Sequence, residues 1–497
     1  MLMVGEAYND KAGRSTIVET IKMYINGSWV HSRNKERIEV KNPSNSEIIA
    51  TIPCGNMKDI DDAVKSAKKA FNSEAWRKVK PHERGYVLFE MAEKIRENRD
   101  ELAELETMDV GKPLTQGYAD VDAAIRYFEF YAGAADKVMG DTIPIQDGII
   151  DYVVREPIGV TGHIIPWNYP IQIMSRSVAA AIATGNTVVV KSAEDTPMTA
   201  HKLTEYFAEL DLPDGVFNHV TGYGYEAGAA LSSHPSINHI TFTGSVDTGT
   251  AVMKSAAENI VPVTLELGGK SPNIVFSDCD VEKAVDGVVK AITQNAGQTC
   301  SAGSRLLIES SFKATFIEKV INRFRQLTIG SGLADKDIGP ILNEKQFKRV
   351  QSYIQLAQTE GEVLFGGKAC TIEGCEKGFY IEPTIVDNLN PDSKLAQEEI
   401  FGPVLSVLTF ENDQEALHLA NNTDYGLVTG IWTQDISRAH YLASRIDSGQ
   451  VFINNYGAGG GIQMPFGGYK KSGFGREKGW MALYNYTQVK NVAIQYG

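Results

Sequence analysis

Cys300 stands in QNAGQTCSAGSR, directly after a stretch with helical periodicity and inside a glycine-bounded segment that can present a side chain to a cleft. A thiol so placed is a nucleophile if nearby dipoles or charges stabilise its thiolate, and a small buried hydrophobe if they do not. Upstream, VTLELGGKSPNIV carries Glu266 at the end of an alternating run expected to bury Val263 and Leu265, just before Gly268 and Gly269. A carboxylate beside a turn free of bulky side chains either reaches a cleft as a general base or is solvated as an ordinary turn residue. In IIPWNYP, Asn168 follows a strand and precedes Pro170, which suits a helix entry. Its amide is a donor for an oxyanion, although asparagine is also common in turns. Gly222, Gly224 and Gly228 are spaced one residue off the dinucleotide fingerprint, and TFTGSVDTG sets Gly244 and Ser245 between a strand and a helix, where backbone donors point at phosphate. Each signal taken alone is ambiguous.

The elements that must position these groups follow from periodicity. From Pro157 to Leu267 the text alternates between β and α: GVTGHIIP, a helix over Ile171–Ala183, NTVVVK, a helix over Thr199–Glu209, FNHVTG, a helix over Tyr225–Ser232, and NHITFTGS. That alternation implies a parallel sheet with right-handed crossovers, an architecture used for nucleotides. A second αβ series runs from Pro272 to about Gly449, with SPNIVF, a helix over Val281–Asn295, PVLSVLTF and GLVTGIWT. Before these, Met23–Pro53 reads as a small N-terminal sheet with a hairpin at Asn26-Gly27. Helices cover much of Asp59–Gly133, the first with Asp59 at its N-cap. The tail ends in YTQVKNVAIQYG, a lone strand whose unpaired backbone must be covered, and pairing with another subunit is one way.

Composition excludes several classes. The chain has 497 residues, which sets a prior of about three domains. A net charge of -14 disfavours nucleic acid and anionic membranes. Five scattered cysteines do not form a disulfide framework and fit a reducing cytoplasm. Cys370 and Cys375 lack a second pair or nearby histidines, so no metal is expected. The N-terminus has charges and glycines where a secretory signal needs an apolar core, and no apolar run approaches the roughly 20 residues of a membrane span.

Read together, IIPWNYP, VVVKSAEDTP, FTGS, LELGGKSP, GQTCSA, EEIFGPV and PFGGYKKSGFGRE occur in the order and at the separations found in the aldehyde dehydrogenase superfamily, and the similarity runs from about Met23 to the C-terminus. The resemblance implies an α/β fold with a Rossmann-like cofactor domain over residues 1–138 and 158–266, a catalytic domain over 267–471, and a small β oligomerisation element from 139–157 and 472–497. It implies a homo-oligomer, dimer or tetramer, that uses NAD to oxidise an aldehyde to its carboxylic acid.

By the same similarity, Cys300 is the nucleophile that forms a thiohemiacetal, with the oxyanion held by Asn168 and the Cys300 backbone N–H. Loss of hydride leaves a thioester, which Glu266 hydrolyses as general base. Glu266 argues against the coenzyme-A-acylating branch. Glu477 resembles a second carboxylate that relays protons, or else forms a surface ion pair. Lys191 and Glu194 match contacts to the adenosine ribose, and Glu194 favours NAD by repelling a 2′-phosphate. The cofactor set continues with Ile165, Pro166, Trp167, Gly224, Gly228, Phe242, Gly244, Ser245, Leu267 and Gly268, and with Glu399 and Phe401 for the nicotinamide riboside.

Two departures bear on substrate. Arg176 stands where relatives that act on aliphatic aldehydes often carry an aromatic; it suits an acidic or polar aldehyde and opposes a cationic one, unless it is turned into a structural salt bridge. Gly459, Gly460 and Gly461 replace aromatics at the tunnel mouth, which suits bulky or aromatic aldehydes or simply a tight turn. Thr299, Ser301, Gly460 and Phe466 complete the expected substrate set. The competing readings are an NADP-dependent semialdehyde dehydrogenase, which Glu194 disfavours, and a structural relative without activity, which intact Cys300, Glu266 and Asn168 oppose.

Overall fold

The computed structural model describes residues 6–9, 15–457 and 461–497. Its centre is an eight-stranded sheet in the order Gly473–Phe474, Val263–Glu266, His239–Thr243, Val160–Ile164, Thr187–Lys191, Phe217–Val220, Met23–Ile25, Ser28–Val30. The five strands from Val263–Glu266 through Phe217–Val220 are parallel, and antiparallel pairs finish both edges. The inner strands are buried along their whole length, as a parallel sheet covered on both faces requires. Alternation then sorts the side chains: Val188 and Val190 pack with the helix Pro170–Ala183, and Val189 packs with the helix Met57–Asn72 on the opposite face.

From Val160–Ile164 the chain first builds the sheet outward on one side, through Thr187–Lys191 and Phe217–Val220, and then returns to add His239–Thr243 on the other. Such a reversal leaves a crevice at the carboxyl ends of the two strands where it occurs. Residues 165–168 and Gly244-Ser245 leave the sheet there. The helix Pro170–Ala183 has Pro at its first turn and is buried at every position except Gln172, so any charge on it needs a partner.

A second sheet of seven strands runs Glu362–Phe365, Thr384–Asp387, Val404–Phe410, Arg305–Glu309, Pro272–Val275, Val428–Trp432, Gln450–Ile453, parallel except for its first edge strand. The link between the sheets, residues 267–271, carries Gly268-Gly269. A Cβ on Gly268 would lie 2.1 Å from Glu399 Oε2, and one on Gly269 would lie 2.7 Å from the Cys300 carbonyl oxygen. Glycine is required here because two backbone segments and a carboxylate converge on the same space.

Several sequence expectations are corrected. The hairpin at Asn26-Gly27 forms, with both residues at positive φ, but it joins the eight-stranded sheet, whereas Arg37–Lys41 and Ile48–Pro53 belong to a separate four-stranded sheet. Asn56, not Asp59, caps the first helix; Asp59 is its third residue and accepts from the Asn56 N–H at 3.0 Å, completing a capping box. The long helical stretch after Pro81 breaks at Asn98 into Pro81–Glu97 and Arg99–Val110. The tail strand is not alone: Thr487–Gln495 pairs antiparallel with Ile149–Pro157, which also pairs with Asp141–Ile143. Gly473–Phe474, grouped with the tail on sequence, instead edges the eight-stranded sheet.

Candidate functional site

The helix Val281–Thr293 ends in a turn where Asn295, Ala296 and Gly297 take successive left-handed conformations, with φ of 48°, 52° and 74°. For Ala296 that backbone is strained, and it persists because surrounding bonds hold it. Gln298, fully buried, is the main anchor: its side chain donates to the Asn295 and Pro340 carbonyls at 3.1 and 3.2 Å and accepts from Leu342 N–H at 2.9 Å. The turn then delivers Cys300.

The start of the buried helix Pro170–Ala183 is tied to this turn. The Asn168 side-chain amide donates to the Gln298 carbonyl at 3.0 Å, and Asn295 donates to the Asn168 carbonyl at 3.2 Å. Tyr169 Oη and Thr299 Oγ1 share a hydrogen bond of 2.8 Å. Asn168 is therefore fixed beside the residues that flank Cys300, and an amide nitrogen with two hydrogens keeps one for another acceptor.

Cys300 opens into a pocket of about 690 Å³. Tyr169, Ile173, Phe452, Tyr456, Ile462 and Phe466 supply much of its apolar wall, and Arg176, Thr299 and Ser301 also line it. Burial pushes the Cys300 thiol up to about 12, with Glu399 and Glu266 adding to the rise and the Arg176 guanidinium opposing it. The resting sulfur is a thiol at neutral pH and needs a proton acceptor to attack.

Glu266 ends its strand buried, with neither carboxylate oxygen hydrogen-bonded. Burial first, and the nearby Glu477 carboxylate second, raise it well above the usual carboxylate range, while Arg176 works the other way. Glu477 is buried too, paired with Arg176 and accepting from Thr241 Oγ1 at 3.1 Å. Burial disfavours the charge on Arg176, but Glu477 more than compensates, and the guanidinium stays protonated. Its carbon also lies 5.5 Å from the centre of the Phe466 ring. Arg176 thus lines the pocket while its charge is engaged by Glu477.

The crevice at the strand reversal gathers a second set. Lys191 Nζ pairs with Glu194 at 2.7 Å, and the Gly224 N–H donates to the same carboxylate at 3.3 Å. Burial would raise Glu194, yet Lys191 and these donors leave it lowered, so it is ionised. Ser245 caps the helix Val246–Ala257, and Gly244 lies so close to the Phe242 ring that a Cβ would be 2.5 Å away. Gly224 and Gly228 belong to a π turn with open space where their Cβ atoms would be. Ile165 N–H bonds the Lys191 carbonyl at 2.9 Å, and Pro166 follows it. Trp167 meets Phe401 edge to face at 5.2 Å, with Phe401 at φ 63°. Glu399 accepts from Gly269 N–H at 3.1 Å, and burial raises its carboxyl to about 7. Leu267 and Gly268 bridge this set to the Cys300 turn.

Gly460 and its neighbour Gly459 lie outside the described residues. Sequence reasoning missed Tyr169, Gln172 and Ile173, although with Arg176 they follow helical spacing and so share a face. Phe452, Tyr456 and Lys478 had no local signal.

The chain matches the aldehyde dehydrogenase family over residues 29–492. It is 42% identical over 479 residues to aldehyde dehydrogenase 1 of Tanacetum cinerariifolium, covering 96% of this chain and 95% of that protein. It is 41% identical over 474 residues to the betaine aldehyde dehydrogenase of Bacillus subtilis, covering 95% and 96%. The NAD+ complex of an aldehyde dehydrogenase from Bacillus cereus superimposes with a TM-score of 0.94 at 41% identity, covering 96% of this chain and 97% of that one. A match along nearly the whole length, with the same fold, means that the chain belongs to the aldehyde dehydrogenase family.

Proposed function

We propose that the protein oxidises an aldehyde to its carboxylic acid through a thioester on Cys300, with NAD as hydride acceptor. The observation that carries this reading is Cys300 at a pocket of about 690 Å³, with Asn168 tied to its turn and Glu266 buried nearby without a partner. Glu266 takes the thiol proton, and the sulfur adds to the carbonyl carbon. The developing oxyanion is held by the Asn168 amide and the Cys300 backbone N–H, in an environment where a fixed dipole is worth more than water. Hydride passes from the thiohemiacetal to the acceptor and leaves a thioester. Glu266 releases the thiol proton to solvent past Glu477, then takes a proton from the water that attacks the thioester, and the Cys300 thiolate departs and is reprotonated.

The residues of the crevice fit a dinucleotide. An ionised carboxylate steadied by Lys191 and Gly224 suits the two ribose hydroxyls and repels a 2′-phosphate, so Glu194 favours NAD over NADP. The capped start of the helix Val246–Ala257 offers backbone donors to a diphosphate, and Glu399 and Phe401 would hold the nicotinamide riboside. When bound, NAD supplies the acceptor for the hydride.

The pocket's volume and aromatic wall favour bulky or aromatic aldehydes. Five free cysteines favour a reducing compartment such as the cytoplasm. Among the described residues no helix is long and apolar enough to cross a membrane.

NADH absorbance with an aromatic aldehyde tests the reading. Cys300→Ala should form no NADH. Glu266→Gln, which lacks the acceptor for both the thiol proton and the water proton, should form NADH about 100-fold more slowly and without a rapid first equivalent. Sustained turnover by Cys300→Ala would sink the mechanism, and faster turnover with NADP than with NAD would sink the cofactor assignment.

A further inference from the structure

Six charged residues line the pocket in front of Cys300, and four have ion-pair partners. Asp120 shares the buried Lys112 with Glu106, Asp122 takes Arg99 through two bonds of 2.6 and 2.7 Å, Arg126 pairs with Glu129, and Arg176 pairs with Glu477. The other two, Lys290 and Lys478, have no ion-pair partner among the described residues. The two charges of the pocket without an ion pair are therefore both positive.

Lys478 is held in place by its backbone. Phe466 and Glu477 exchange N–H to carbonyl bonds of 2.6 and 2.8 Å, and the Gly479 N–H donates to the Ile462 carbonyl at 2.8 Å. Between these fixed points Lys478 takes φ 63°, a conformation that a lysine adopts only under such constraint. Its half-buried side chain lays Nζ 5.0 Å from the centre of the Phe466 ring. An aromatic face attracts the ammonium without cancelling its charge, so all three donors stay available to an anion. Lys290 sits exposed in the last turn of the helix Val281–Thr293, on the same pocket.

We propose that Lys478 is the specificity-determining residue of this pocket, receiving a carboxylate at the far end of a bulky or aromatic aldehyde, with Lys290 adding attraction at the mouth. The proposal rests on the reading of Cys300 as the nucleophile and narrows its substrate to an aldehyde that is also an acid. It moves the recognition of acidity from Arg176, whose charge Glu477 engages, to a lysine that has no ion-pair partner among the described residues and whose charge is felt at Cys300 and Glu266. A trimethylammonium aldehyde meets repulsion at the same place.

The test compares kcat/KM for para-carboxybenzaldehyde with that for its methyl ester, in the intact enzyme and in Lys478→Met, Lys478→Arg, Lys290→Met and Lys290→Glu. The intact enzyme should prefer the acid. Lys478→Met should lower the acid-to-ester ratio about tenfold, mainly through KM, which is the size of a partly desolvated ion pair. Lys478→Arg should restore most of the ratio. Lys290→Met and Lys290→Glu, on an exposed turn that tolerates substitution, should lower it several-fold in that order. A ratio unmoved by both the Lys478 and Lys290 variants, or an intact enzyme that prefers the ester, overturns the proposal while the thioester reading stands. If folded intact enzyme forms NADH from neither compound, the thioester reading falls and takes this proposal with it.

Discussion

Arg176 lies close to two buried carboxylates and engages them differently. Glu477 is ion-paired with it, whereas Glu266 has no hydrogen-bond partner and is raised well above the carboxylate range, first by burial and then by the Glu477 carboxylate, with Arg176 opposing. Because a general base works only when deprotonated, turnover should rise with pH along a limb set by Glu266, above the range of an ordinary glutamate. Arg176 lowers that limb, so Arg176→Met should move it to higher pH and depress kcat at neutral pH. A pH-rate profile checks this. A profile unmoved in position, with only the KM for acidic substrates raised, would instead make Arg176 the substrate group expected from sequence. Cys300, Glu266 and Asn168 were legible because each lies inside a short motif of distinctive spacing. Lys478 was not, although it adjoins Glu477, since nothing local says into which space its side chain extends.

At the scale of elements, the link between the two large sheets does the positioning. Gly268 and Gly269 let it pass between Glu399 and the Cys300 carbonyl. Gly269→Ala must displace backbone, because its Cβ would be 2.7 Å from that oxygen. A displacement of this kind beside Cys300 costs about 100-fold, so kcat should fall by that order, and NAD binding, measured by fluorescence titration, should weaken as well because the Gly269 N–H also holds Glu399. Full activity in Gly269→Ala would show that the turn bearing Cys300 moves freely. The helix Pro170–Ala183 was readable to within one residue from its proline and its apolar run. The cap at Asn56 was misread as Asp59 because both belong to one capping box, and only geometry tells donor from acceptor.

Across the whole molecule, the three-stranded sheet is the element least accounted for by one chain. Among the described residues Thr487–Gln495 is paired along one side only, and Ile150, Val489 and Ile494 are 49%, 59% and 46% exposed. An open edge of nine residues with apolar neighbours favours association with a second copy. Light scattering should give a mass of two or four chains, and deletion of residues 487–497 should lower it. A monomer at micromolar concentration would remove the reason for this assembly.

Sequence by itself determined the alternation of strands and helices, the two αβ series and the family, because periodicity of 2 or 3.6 and short motifs are local properties. It could not determine that the chain folds back to cover its own tail strand, since that pairing spans more than 300 residues. Nor could it say which pocket charges are cancelled. Arg176 and Glu477 are equally charged on paper with or without each other, and only tertiary packing brings them together and sets Lys290 and Lys478 on the pocket with no ion-pair partner among the described residues.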